Sequence, residues 1–328
     1  MKRAAFIVAV ALILAAPALA QKKPATPLPP PAPNDAAART GPDVDLAYGA
    51  YQRGFYKTAF TEASKLAQQN DTAAMTLLGE LYANGHGVGR DDAKAAQWYK
   101  LAAGHGDRDA MFALAMFAFE GRAGPRNIEE AARWLAAAGK LGHPAANYDL
   151  GLLYLQGQQF KQDFQHAAEL FRLAADAGNP EAQYALATMY KEGRGVPKDM
   201  AKAAALLQQA SVAGNLDAMV EFAIMQFNGA GTAKDEAAAA RLLQTAARRG
   251  SPIAQNRFAR VLMAGRGMPA NPTEAIRWHI IAKAAGAGDP ELDVFAAKQP
   301  QKVRDEAEAA AKKWMASVVA LTPPAPKQ

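Results

Sequence analysis

The chain has no cysteine among its 328 residues. That absence excludes disulfides, thiolate metal sites and lipid attachment to a cysteine at a processing site. Uncompensated charge is also scarce. The formal net charge is +6, and the basic residues are spread along the chain, not gathered in a dense block. So slight a charge gives no argument for nucleic acid, and anionic surface polymers stay open only as weak partners. A membrane anchor would want about 20 consecutive apolar residues, and the apolar run Ala4 to Ala16 is shorter. Motifs of catalysis and metal binding are missing too. The 5 histidines form no HExxH and no pair with metal-ligand spacing. The glycines of GHGVGRD and GRGVPKD follow no β-strand, and GRGVPKD lacks the Lys-Ser/Thr ending of a nucleotide loop, so both read as loop closures.

The first twenty residues are expected to lie outside the fold. Lys2 and Arg3 form a short basic start, Ala4 to Ala16 is apolar, and Ala18-Leu19-Ala20 offers small residues before a cut at Gln21. This pattern predicts a secretory signal peptide over 1–20, with an uncleaved anchor as the competing reading. Residues 21–43 read as a flexible linker because Pro24, Pro27, Pro29, Pro30, Pro31 and Pro33 remove amide donors and favour extended backbone. The tail 322–328 repeats that character.

What is present in abundance is periodicity. Gly85, Gly121, Gly157, Gly193, Gly229 and Gly265 recur every 36 residues, as do Ala74, Ala110, Ala146, Ala182, Ala218 and Ala254. A globular core has no need of the same small residue at a fixed interval, whereas a stack of repeating units does. Each copy predicts two helices. In the copy starting at Pro180, Ala182, Ala185, Leu186, Met189 and Tyr190 fit helical spacing and Gly193 stops the helix. The second helix begins after Asp199, whose equivalents are Asp91, Asn127, Asp163, Asp235 and Asn271. All are helix-capping types. Glu130 and Glu274, three residues on, are placed to complete capping boxes.

Small residues also set how closely the helices approach. Gly79, Ala115, Gly151, Ala187, Ala223 and Ala259 share one position of the first helix. Trp98, Trp134, Leu170, Leu206, Leu242 and Trp278 mark an expected buried position of the second. A single hairpin cannot bury these groups, so the copies should form one continuous elongated core. Such a stack also supplies the stability that an exported chain without disulfides needs.

The segments LGELYANGHGVGRDDAKAAQWYKLAAGHGD and LATMYKEGRGVPKDMAKAAALLQQASVAGN resemble the Sel1-like repeat family, a branch of the tetratricopeptide-like solenoids. The resemblance covers about residues 45–289. GQQFKQD at Gly157 lacks the second glycine, and GTAKD after Gly231 lacks the usual Val-Pro, departures expected to alter loops more than the stack. The resemblance implies an all-α fold, a right-handed alpha-alpha superhelical solenoid. A degenerate leading unit is expected over 44–71 and six repeats over 72–289. Capping helices are expected over 290–321, where Val303, Ala307, Ala310, Ala311 and Trp314 can share one side of a long helix. The family carries no catalytic constellation to transfer and implies no cofactor, so the resemblance points to binding rather than chemistry.

One face of the first helix varies at i, i+4 and i+7 while the core face does not. The second copy offers Phe112, Met116 and Phe119, the third Tyr148, Leu152 and Leu155, the fourth Tyr184, Thr188 and Lys191, the fifth Val220, Ile224 and Phe227. The ends are polar, with Thr76, Glu80 and Ala83 in the first copy and Asn256, Arg260 and Met263 in the sixth. By the resemblance these faces line the concave surface as an apolar, aromatic trough for an extended peptide or a helix. Phe112, Met116, Phe119, Tyr148, Leu152, Leu155, Tyr184 and Phe227 are the candidate partner-binding residues. Ordinary packing between repeats is the competing account.

The resulting expectation is a periplasmic scaffold or regulator of a cell-envelope process, binding an envelope protein or peptide, with no anchor left after signal cleavage. Noncatalytic glycan binding is the alternative. Glycan hydrolysis by Glu80, Glu120 and Glu192 is weaker still, because their counterparts in other copies include Met116, Gln156 and Asn228 and show no paired design.

Overall fold

The computed structural model describes residues 42–158 and 160–321, with side chains from 46 to 317 apart from residue 159. The expected signal peptide, most of the linker and the tail fall outside these. Pro42 and Asp43, expected at the end of the linker, instead open the first helix, where proline suits an N-terminal turn. Every regular element among the described residues is an α-helix.

The described residues fall into two compact units, one up to His105 and one from Gly106. The described part of the first holds α1 (Pro42–Gln52), α2 (Tyr56–Ala67), α3 (Thr72–Asn84) and α4 (Asp92–Gly104). Here α1 and α2 form the degenerate leading hairpin, which packs on α3. Ala59 and Ala63 are fully buried. Tyr51 of α1 donates its hydroxyl to Glu80 Oε1 of α3 at 2.5 Å. Burial and that carboxylate push the Tyr51 pKa up. Thr76, Glu80 and Ala83 are therefore buried by their neighbours, not presented as the polar end of a trough.

The second unit continues with α5 (Arg108–Glu120), α6 (Ile128–Lys140), α7 (Pro144–Gln156), α8 (Phe164–Asp176), α9 (Pro180–Glu192), α10 (Met200–Val212), α11 (Leu216–Asn228), α12 (Glu236–Arg248), α13 (Pro252–Ala264), α14 (Pro272–Ala284), α15 (Pro290–Ala297) and α16 (Gln301–Leu321). Odd-numbered helices from α5 to α13 open a repeat, and the following even-numbered ones close it.

Both helix starts of each repeat are capped. At the second helix, Asp199 accepts from the Lys202 amide at 2.9 Å, and its equivalents do the same. The cap residue's own amide donates to the preceding helix, as Asn127 to Ala118 and Asn271 to Leu262. That amide is thus satisfied without Glu130 or Glu274, and the reciprocal arm of the expected capping box has nothing to do. A second set of caps, not anticipated from the sequence, starts the first helices: Asp107, His143, Asn179, Asn215 and Ser251 accept from the amide three residues on.

The loop between the helices presses on the repeat before it. A Cβ on Gly195 would lie 2.1 Å from the Phe164 carbonyl oxygen, and one on Gly231 2.0 Å from that of Met200. Both glycines have positive φ, so glycine is favoured at these two places on both counts. Ala123 takes the place in the second repeat with φ 56°, a strained value for alanine.

The small position of the first helix is matched to its partner in the second. Gly79 faces Tyr99 and Gly151 faces Phe171, where a Cβ would stand 2.5 and 2.7 Å from the ring. The repeats carrying Ala115, Ala187 and Ala223 have Leu135, Leu207 and Leu243 at the place of those rings, all buried. Glycine pairs with an aromatic ring and alanine with leucine in these five repeats, which keeps the interhelical volume filled, while the sixth repeat has buried His279 at that place with Ala259. The fully buried position of the second helix is thus this one. The position expected from Trp98, Trp134, Leu170, Leu206, Leu242 and Trp278 lies one residue earlier; it is buried at Leu170 and Trp278 and half-buried at the other four.

The core of the second unit is a series of apolar clusters, each bridging consecutive repeats. Leu135 and Leu150 share one, Phe171 and Leu186 the next, Leu207 and Phe222 a third. Half-buried Tyr154, Tyr190, Leu206 and Leu242 join each cluster to its neighbour. The last cluster takes in Leu292 of α15 and Ala311 of α16. Trp314 meets Trp278 edge-on at 5.7 Å, and Trp278 meets Phe258 at 5.9 Å. Helix α16 therefore covers the apolar end of the last repeat.

Candidate interaction face

All eight candidate residues lie on the first helices of the second unit, and all are half-buried. Each rests its inner part on the clusters below and leaves the rest to solvent. Helical spacing brings Phe112, Met116 and Phe119 to one side of α5, and Tyr148, Leu152 and Leu155 to the same side of α7. Val220, which has the matching place on α11, is buried at 4% exposure, so the face narrows there to Ile224 and Phe227.

Several of these rings also serve the fold. Phe112 stacks on the His143 imidazole at 4.4 Å. Tyr148 lies 5.7 Å from Phe171. The Arg266 guanidinium sits 4.7 Å from the Phe227 ring centroid. At the sixth repeat Asn256 and Arg260 both bind Asp289, with Arg260 bidentate at 2.5 and 2.9 Å. That ion pair holds the Asp289 carboxyl down at about 2 and uses the polar end that the sequence suggested for a partner. Next to it, Ile224, Phe227, Arg257, Arg260 and Met263 line a depression of about 340 Å³.

The middle of the face is acidic at its edges. Burial raises the Tyr148 hydroxyl, helped by Asp149 and Glu181. Tyr184 is pushed up to about 12 by burial, then Glu221 and Asp217. Glu221 is paired with Lys191 of the preceding first helix. Asp149 is half-buried and held up at about 7 by burial. Sequence reasoning passed over Asp149 because it falls one residue outside the i, i+4, i+7 stripe. It also gave His143 no role, since histidine is no standard cap. In the structure His143 Nδ1 accepts from the Ala146 amide at 3.1 Å. The remaining ring proton then sits on Nε2, 3.6 Å from Asp109 Oδ1.

The three carboxylates considered for hydrolysis have separate surroundings. Glu80 is buried against Tyr51, Glu120 lies 3.9 Å from Arg122, and Glu192 3.0 Å from Arg194. Among the described residues no group of His, Asp or Glu is placed to hold a metal ion, and no helix is long and apolar enough to cross a membrane.

The Sel1 repeat model matches six times, over 72–107, 108–143, 144–179, 180–215, 216–251 and 252–286. Among solved structures, the chain is similar to a Sel1 repeat protein from Oxalobacter formigenes at 25% identity, with a TM-score of 0.63 over 74% of this chain and 97% of that one. It also resembles a protective antigen present in uropathogenic Escherichia coli strains, at 23% identity and a TM-score of 0.54, covering 90% of this chain and 74% of that one; this likeness concerns the fold alone. No curated protein matches the chain. The fold class is an all-α superhelical solenoid. Sel1 repeat proteins generally act as protein–protein interaction scaffolds, and their fold is typically noncatalytic. Six consecutive matches, with the paired helices, caps and helix-ending glycines seen in each copy, make this chain a member of the Sel1 repeat family.

Proposed function

We propose that the chain is a periplasmic scaffold or regulator of a cell-envelope process, binding a segment of a protein partner along the first-helix face of repeats two to five. The observation that carries this reading is the run of half-buried apolar side chains on α5, α7, α9 and α11, from Phe112 and Phe119 through Tyr148 and Leu155 to Phe227. Rings already packed on one side lose little freedom on binding and still offer apolar area for desolvation. The corresponding places in the first and sixth repeats are occupied by the chain's own groups, which confines the face to the middle. Export is supported by the basic and apolar start before Gln21.

The test is crosslinking and mass-spectrometric recovery from intact cells, comparing the full chain with a Phe119→Ala/Tyr148→Ala/Leu155→Ala variant. Helical circular dichroism of both proteins controls for folding. Loss of one specific protein with the folded variant supports the reading, as does release of the chain with the periplasmic fraction. Equal recovery by both proteins overturns the face, and retention in the cytoplasm overturns the location.

A further inference from the structure

The repeats supply their own template for a charge on this face. In the fifth repeat Glu221 occupies the sixth position of its first helix. It bonds Lys191, which holds the twelfth position of the first helix before it. Asp149 holds the same sixth position in the third repeat. The residue 30 places earlier, where Glu221 finds Lys191, is Phe119. The carboxylate is kept and the ammonium is replaced by a ring. Among the described residues Asp149 has neither a hydrogen-bond nor an ion-pair partner.

We infer that Asp149 is the anchor for a lysine or arginine side chain of the bound partner, flanked by apolar residues that rest on Phe119, Tyr148 and Leu152. The inference rests on the proposed face. Its chemistry is charge complementarity in an apolar setting. A half-buried carboxylate without a counter-ion is costly, and an incoming cation recovers that cost on binding. Burial alone holds this carboxyl at about 7, as expected where no cation is near. Tyr148, which lies near both Asp149 and Glu181, offers no positive charge, so the counter-charge is left to the partner.

The probe is a phage-displayed library of random dodecapeptides, selected against the wild-type chain, Asp149→Asn and Phe119→Lys. The first variant removes the charge with little change of shape. The second restores the internal ammonium on the pattern of Lys191. Wild-type selection should fix one Lys or Arg between apolar positions. Both variants should lose that preference, with selected wild-type peptides binding at least about tenfold more weakly. Retention of the cation preference by Asp149→Asn overturns the inference. Peptides that need Leu152, shown by loss of binding to Leu152→Glu, but carry no fixed cation overturn it while leaving the face intact. Selection of nothing, or of peptides indifferent to Leu152→Glu, overturns the face itself.

Discussion

His143 shows how one side chain ties two repeats together. It caps α7 through Nδ1 and carries the Phe112 ring on its face. Both roles suit the neutral imidazole, because a protonated Nδ1 cannot accept from the Ala146 amide. Burial lowers its pKa, against the opposing pull of Asp109. A histidine whose folded pKa is depressed gives full stability above its unfolded value of about 6.5, and that stability drains as pH falls toward the folded value. Between pH 7 and pH 5 the wild-type chain should therefore lose thermal stability relative to His143→Asn. Asparagine caps the equivalent helix at Asn179 and carries no titrating proton. Melting curves of both proteins at the two pH values check this, and parallel losses would refute it.

At the scale of the element, the decisive contacts are those between the paired helices of one repeat. Gly151 has room for no methyl because Phe171 lies against it. Gly151→Ala should destabilise the protein by about 1–3 kcal/mol through overpacking. Adding Phe171→Leu recreates the Ala187 and Leu207 pair of the next repeat. It should recover much of the loss, giving a favourable coupling in a double-mutant cycle by denaturant unfolding. Independent, additive effects would contradict the volume matching. The helices themselves were legible in the sequence, since Gly193 and Asp199 punctuate α9 and α10 with residues whose chemistry is local. The partner of the small position was not. Tryptophans at 98 and 134 attract attention by size, while the buried place is set by how two helices face each other, and that is fixed only in three dimensions. The same holds for the interaction face. Its apolar stripe follows from helical spacing, but that Glu80 is covered by α1 and Arg260 is held by Asp289 depends on elements far away in the sequence.

At the scale of the whole molecule, a repeat array is stabilised by neighbours, so damage should stay local. Trp314 covers Trp278 at the end of the last repeat. Trp314→Ala should weaken that end by about 2 kcal/mol, less than a fully buried tryptophan because the ring is half-buried. Hydrogen exchange should then quicken in α14 while α7 and α8 keep their protection. Uniform quickening throughout would mean that α16 acts on more than the repeat it covers.

The central claim is that a partner uses the first-helix face of the middle repeats. The most direct measurement places a photo-crosslinking benzoylphenylalanine, in intact cells, at Phe119 and Leu155 on that face and at Arg172 and Gln208, exposed on second helices. The account predicts the same protein adduct from both first-helix positions and none from the second-helix pair. Adducts from Arg172 or Gln208 alone would contradict it and move the binding surface to the opposite helices.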